Sequence, residues 1–215
     1  MNLKERVRSR FGIGRIIRLV QPYTLVDPDR IKNLYALARC IESERIPGDV
    51  IECGVYNGGT AAVLAQSATR SRLPRTLWLF DSFLGMPETS AQDGPSAREH
   101  IGKEVGDQEK VDEILRMVGA QMDRVKVVPG WFQETFPTVS IPKIALLNID
   151  ADWYESVKLC LETFYDAVMP GGYVSFDDYG HWPGCKMAVD EFFETRRLPY
   201  TLQVVDYTAR WFRKE

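Results

Sequence analysis

Two apolar runs in the chain stop abruptly at carboxylates. Residues 144–149 end at Asp150, with Asp152 close behind, and residues 171–176 end at Asp177 and Asp178. A short apolar run bounded by polar residues reads as a buried parallel strand. An open α/β sheet takes its ligands beyond the carboxyl ends of its strands. If the two strands are neighbours, Asp150, Asp177 and Asp178 converge on one point. Carboxylates that close raise one another's pKa, and a hard divalent cation is the usual compensation. Asp178 read instead as a turn or capping acid leaves Asp150 at the same sheet edge without a reason.

A second pattern lies in residues 52–59, where Glu52 precedes Gly54, Gly58 and Gly59. Glycines between a strand and its helix let the chain turn tightly and let a ligand approach the backbone. The spacing is not the dinucleotide G-x-G-x-x-G. The next apolar run ends in Asp81, where an acid suits a grip on ribose hydroxyls. Glycine turn and acid together signal a nucleoside, either a nicotinamide cofactor or S-adenosylmethionine. Glu52 favours the second: it repels a pyrophosphate at the helix N-terminus and attracts an ammonium or sulfonium. Glu52 bonded only to nearby backbone N–H groups is the plainer alternative.

The elements that must position these residues alternate. Asp27 and Pro28 suit the N-cap and first position of a helix, and Ile31, Leu34, Tyr35, Ala38 and Ile41 continue it at helical spacing. Strands are expected at 49–53, 76–80, 125–128, 144–149 and up to 176, and helices at 60–70, 108–122, 154–168 and 185–195. A polar stretch at 82–107 separates the second strand from its helix, and two β-rich pieces at 200–205 and 209–212 read as a closing hairpin. Alternating strands and helices imply an α/β fold with a mostly parallel sheet and helices on both faces. Residues 1–20 set six basic residues (Lys4, Arg6, Arg8, Arg10, Arg15, Arg18) against Glu5, with Leu3, Val7, Phe11, Ile16, Ile17 and Val20 as an apolar stripe. A membrane-surface helix is one reading. Gly12 and Gly14 interrupt it and favour an arm that packs on the domain or on a second subunit.

Composition excludes several classes. A chain of 215 residues with 45% hydrophobic and 27% charged residues suits one globular domain with a short extension. A net charge of −3 carries no nucleic-acid footprint, and no apolar run is long enough to span a bilayer. No secretory h-region is visible. Cys40, Cys53, Cys160 and Cys185 form no C-x-x-C pair, so free thiols and a cytoplasmic location are expected. His100 and His181 are the two histidines, too few and wrongly spaced for a zinc site.

The motifs in order resemble the macrocin O-methyltransferase family and, more distantly, catechol O-methyltransferase. The resemblance runs from Pro22 to the C-terminus and rests on Pro22-Tyr23-Thr24, the segment around Glu52 and Gly54, Asp81-Ser82-Phe83 with Gly85-Met86-Pro87, Pro129-Gly130-Trp131-Phe132, Asp150-Ala151-Asp152-Trp153-Tyr154, and Gly171-Gly172 through Asp177-Asp178-Tyr179. It implies a Rossmann-like methyltransferase fold: a seven-stranded sheet with a C-terminal antiparallel hairpin, an arm or lid at 1–26 and the methyltransferase domain at 27–215. It implies a magnesium-dependent transfer of methyl from S-adenosylmethionine to a hydroxyl of a sugar on a natural product or glycoconjugate. Glu52 and Gly54 then line the methionine end, Asp81 and Ser82 hold the ribose, Gly130 and Trp131 lie near adenine, and Tyr23 and Thr24 close over the cofactor. Asp150, Asp177 and Asp178 bind Mg2+. His100, His181, Asp152 or Asp150 takes the hydroxyl proton, with Asp152 looking more remote than the trio. The insertion after the second strand is shorter than in the macrolide-sugar enzymes of the family. The resemblance and the basic arm both imply a homo-oligomer. A catechol-type phenolic O-methyltransferase, an NAD-dependent oxidoreductase and a non-catalytic binding module are the alternatives.

Overall fold

The computed structural model describes residues 3–215, with side chains from residue 12 onward. Its strands are β1 (Asp49–Cys53), β2 (Leu77–Asp81), β3 (Val125–Pro129), β4 (Ile144–Ile149), β5 (Val168–Phe176), β6 (Gln203–Val204) and β7 (Arg210–Arg213). They form one sheet in the order β3-β2-β1-β4-β5-β7-β6. β1 to β5 run parallel, and β7 enters antiparallel between β5 and β6. The sheet, its hairpin and the helices on both faces follow the sequence reading.

The helices are α1 (Leu3–Val20), α2 (Pro28–Ser43), α3 (Gly59–Ala68), α4 (Gln108–Met117), α5 (Phe132–Thr135), α6 (Tyr154–Phe164) and α7 (Pro183–Arg196). On one face Trp153, Val157, Leu161 and Phe164 join Val189 and Phe193 over Ile51, Leu147 and Ile149. On the other, Leu37, Ile41, Leu64, Ala65 and Leu115 cover Val50, Leu79 and Leu146. Alternate strand residues thus feed opposite cores, as a pleated strand requires. A third cluster, with Val20, Val26, Ile31, Leu34, Val63 and Ile114, lies beneath the N-terminal segment.

Three expectations need correction. Gly12 and Gly14 do not interrupt the first helix: α1 runs through both to Val20. A glycine costs a helix about 1 kcal/mol, and burial of Val20 with Ile16, Ile17 and Leu19 packed beside it offsets that cost. The stripe residues Leu3, Val7 and Phe11, together with Lys4, Glu5, Arg6, Arg8 and Arg10, lie outside the described side chains. α4 stops at Met117 rather than at residue 122 because Gly119, at φ +69°, ends it in the left-handed region. α6 gives way at Tyr165 to a 3₁₀ turn, and β5 starts at Val168, ahead of Gly171-Gly172, with a register shift against β4 between Ile144 and Leu146. A bulge of this kind accommodates Pro170 inside a strand.

Candidate active site

β1, β2, β4 and β5 end side by side, and the residues that follow them wall one cavity of about 320 Å3. Its lining brings together Thr24, Gly54, Asp81, Ser82, His100, Trp131, Asp150, Asp177, Asp178 and His181. Tyr23, Glu52 and Gly130 do not reach the cavity surface. Glu52 is fully buried one layer behind it, and Asn148 Nδ2 donates to its Oε1 at 3.1 Å.

The acidic trio has cation-sized spacing. One oxygen from each of Asp150, Asp177 and Asp178 lies within 4.8 Å of the others. β4 and β5 position them through ladder bonds that continue past the strands: Asp150 N–H donates to Cys53 O at 2.8 Å and Asp177 N–H to Ile149 O at 3.0 Å. Gly54 is required at this junction. It sits at φ +89°, and a Cβ there would lie 1.8 Å from Asp150 O. Burial, followed by neighbouring carboxylates, pushes the Asp150 and Asp178 carboxyls well above the usual range. Burial raises Asp177 to about 6 against the opposing pull of Arg30. Among the described residues Asp178 Oδ2 is buried without a hydrogen-bond partner, with the Asp152 carboxyl beside Asp178. Crowded oxygens that favour protonation, one of them orphaned, form a hard donor set that fits a divalent cation.

The glycine turn is braced from the next strand. Asp81 Oδ2 accepts from Val55 N–H at 2.7 Å and Tyr56 N–H at 2.8 Å, and Oδ1 accepts from Phe83 N–H at 2.7 Å. Three of its roughly four lone-pair directions are occupied, so one remains for a ligand hydroxyl. Glu52 Oε2 has no partner, and burial pushes this carboxyl up to about 8. Raised this far, Glu52 holds its proton in the ligand-free protein, and a cation bound beyond the turn would favour its ionised form. Thr24 packs on the turn from outside, its Cβ 2.6 Å from where a side chain on Gly59 would begin.

An aromatic wall adjoins the trio, with the His181 and Trp182 backbone N–H groups donating to Asp178 O at 3.0 Å each. Trp182, at the N-cap of α7, donates its Nε1–H to Asp152 Oδ1 at 2.9 Å. Three rings pack edge-on against Trp182: His100 at 5.2 Å, His181 at 4.5 Å and Trp153 at 4.9 Å. His181 also pairs through Nδ1 with the Tyr207 hydroxyl. Asp152 lines the cavity and lies against Asp178. It holds φ +54°, a conformation that costs a non-glycine residue energy. Burial, then Glu104 and Asp177, raises its carboxyl to about 7.

Sequence reasoning missed two residues. Arg30, in the first turn of α2, pairs with Asp177 and faces Asp206. Asp93, buried in the segment after β2, accepts from Ser90 N–H at 2.7 Å, Ser90 Oγ–H at 2.6 Å and Tyr154 N–H at 2.6 Å. It thereby caps α6 from a distance and anchors the loop that carries His100. The Ser90–Asp93 capping box is a local signal, whereas the partners in α6 and β5 carry none.

Residues 18–214 match the family model described as Macrocin-O-methyltransferase (TylF). The chain is 34% identical over 178 residues to demethyldecarbamoylnovobiocin O-methyltransferase of Streptomyces niveus, covering 79% of this chain and 67% of that protein. It is 30% identical over 197 residues to 8-demethyl-8-(2,3-dimethoxy-alpha-L-rhamnosyl)-tetracenomycin-C 4'-O-methyltransferase of Streptomyces olivaceus, covering 89% and 75%. The solved structure of the O-methyltransferase NovP superposes with a TM-score of 0.78 at 30% identity, over 89% of this chain and 82% of that one. No helix among the described residues is long and apolar enough to cross a membrane.

Proposed function

This chain belongs to the macrocin O-methyltransferase family, and from that premise we propose that it moves a methyl group from S-adenosylmethionine to a hydroxyl of a glycosylated small molecule, using Mg2+ held by Asp150, Asp177 and Asp178. Membership makes it an O-methyltransferase and removes the oxidoreductase and the non-catalytic module. The observation that carries the finer reading is one cavity with two halves. The glycine turn and Asp81, backed by the buried Glu52, make the donor half, and the trio with Asp152 and Trp182 makes the acceptor half.

S-adenosylmethionine, when bound, supplies an electrophilic methyl on a sulfonium. A divalent cation, when bound by the trio, supplies positive charge that lowers the pKa of an acceptor hydroxyl. The rest falls to this chain's residues. Asp81 keeps the turn closed through its three backbone bonds and offers its free lone pair to a ribose hydroxyl. Thr24, Leu25 and Val26 cover the donor half as the lid. Trp182 occupies Asp152 Oδ1 and leaves Oδ2 to take the hydroxyl proton as general base. Trp131 and Phe132 wall the donor side, and Trp182, His100 and His181 wall the acceptor. Because methyl transfer is an in-line displacement, holding the two halves in register supplies much of the rate.

The tetracenomycin relative is named for an acceptor bearing a rhamnosyl group, which supports a glycosylated acceptor here over a free catechol. The proposal includes a homo-oligomer and cytoplasmic location; light scattering on the purified protein reads the former, and a monomeric mass removes it. The function is tested by incubating the protein with S-adenosylmethionine, Mg2+ and a panel of glycosylated and catechol acceptors, with products read by mass spectrometry. A gain of one methyl on a glycosylated acceptor, lost with excess chelator, supports the proposal. Methylation confined to catechols, or undiminished by chelator, contradicts it.

A further inference from the structure

Arg30 contacts the acidic trio from outside the sheet. Its Nη1 donates to Asp177 Oδ2, and its Nε lies 3.3 Å from Asp206 Oδ2. Asp206 is itself fixed by the β6–β7 turn, where its Oδ1 accepts from Thr208 N–H at 2.9 Å and Ala209 N–H at 2.8 Å. The guanidinium is thus held by two carboxylates from distant parts of the chain, and it carries charge at every working pH. With Arg30 in place, one oxygen from each trio acid still lies within 4.8 Å of the others, and Asp178 Oδ2 is still unpartnered among the described residues. The Arg30 contact and the cation-sized spacing of the trio thus coexist in one arrangement.

We propose that Arg30 is the charge-setting residue of the trio: a resident single positive charge that disfavours a triply charged metal ion more than a doubly charged one. The inference rests on the reading of Asp150, Asp177 and Asp178 as cation ligands. Arg30 sets one positive charge among the carboxylates of Asp150, Asp177, Asp178 and Asp206. Arg30 also repels any ion in the site, in proportion to that ion's charge. Removing it must tighten a trivalent ion more than a divalent one, in an energy ratio of three to two. A residue that merely props up Asp177 gives the opposite sign, because its loss loosens a ligand and weakens both ions alike.

The test compares Mn2+ binding, read by electron paramagnetic resonance, with Tb3+ binding, read by luminescence, in the wild type, Arg30→Met and Arg30→Lys. Arg30→Met is expected to bind Mn2+ about tenfold more tightly and Tb3+ about thirtyfold more tightly, raising the preference for Tb3+ about threefold. Arg30→Lys keeps the charge and is expected to stay within about twofold of the wild type for both ions. Weaker or parallel binding of the two ions by Arg30→Met, or an Arg30→Lys protein that behaves like it, overturns the inference. Should Arg30→Met not fold, Arg30→Gln carries the same expectation. Absence of Mn2+ binding by the wild type overturns the cation reading of the trio itself.

Discussion

Trp182 donates its indole N–H to Asp152 Oδ1 at 2.9 Å, beside the acidic trio, where the Asp152 carboxyl meets that of Asp178. The bond ties a residue strained at φ +54° to the start of α7. It leaves one carboxylate oxygen to meet an acceptor hydroxyl. Asp152→Asn is expected to lower kcat by about 10²–10⁴-fold, the usual worth of a general base, with S-adenosylhomocysteine affinity unchanged by calorimetry. Trp182→Phe keeps the wall and removes the donor, and is expected to lower kcat by about tenfold with little change in KM. Equal losses in kcat and donor affinity would assign Asp152 to the donor half instead.

Asp81 satisfies three backbone N–H groups of the glycine turn and its flank. Asp81→Ala leaves those donors without their charged partner, and stability in urea is expected to fall by about 1–3 kcal/mol. S-adenosylhomocysteine should bind at least severalfold more weakly. Unchanged affinity in a folded variant would remove Asp81 from the donor site.

Asp93 does for the acceptor loop what Asp81 does for the turn. It is fully buried and accepts three hydrogen bonds, one from the first residue of α6. Asp93→Ala is expected to cost about 2–3 kcal/mol and to open residues 84–107 to limited proteolysis. Cleavage no faster than in the wild type would show that other contacts anchor the loop.

Burial holds the Glu52 carboxyl up at about 8, against about 4.3 in an unfolded chain. Between those values the folded protein keeps a proton that the unfolded chain has lost. The resulting stabilisation is complete below the lower value and is lost as the pH rises through the upper one. Asp152, raised to about 7, and Asp177, raised to about 6, act in the same direction. The ligand-free protein should therefore melt at falling temperature as the pH rises from about 5 to about 8.5, and Glu52→Gln should flatten the slope. A melting temperature that rises over this window contradicts the protonated state of Glu52.

Sheet and trio were legible in the sequence because both rest on local pattern. The apolar runs of β1 and β4 are bounded by polar residues, and their limits match the structure at both ends. The two acidic strand ends become one site only through the β4–β5 pairing, which the alternation of elements implied. What escaped notice depends on contacts between remote positions. Arg30 meets Asp177 and Asp93 meets Tyr154 by way of the finished fold, and no spacing in the chain announces either. Asp152 reaches the cavity through a left-handed backbone, a direction that residue type does not encode. Gly12 and Gly14 misled because helix propensity is weaker than the packing of Ile16, Ile17 and Val20.

The central claim is that Asp150, Asp177 and Asp178 form a divalent-cation site beside the donor pocket. Its most direct test is calorimetric titration of Mn2+ into the wild-type protein and into Asp178→Asn, which removes the charge of the orphaned carboxylate while keeping its volume. The account predicts one ion per chain in the wild type and at least about 100-fold weaker binding in the folded variant, in line with the weight of a directly coordinating carboxylate. Equal Mn2+ affinity in the two proteins, or no binding in either, would contradict it.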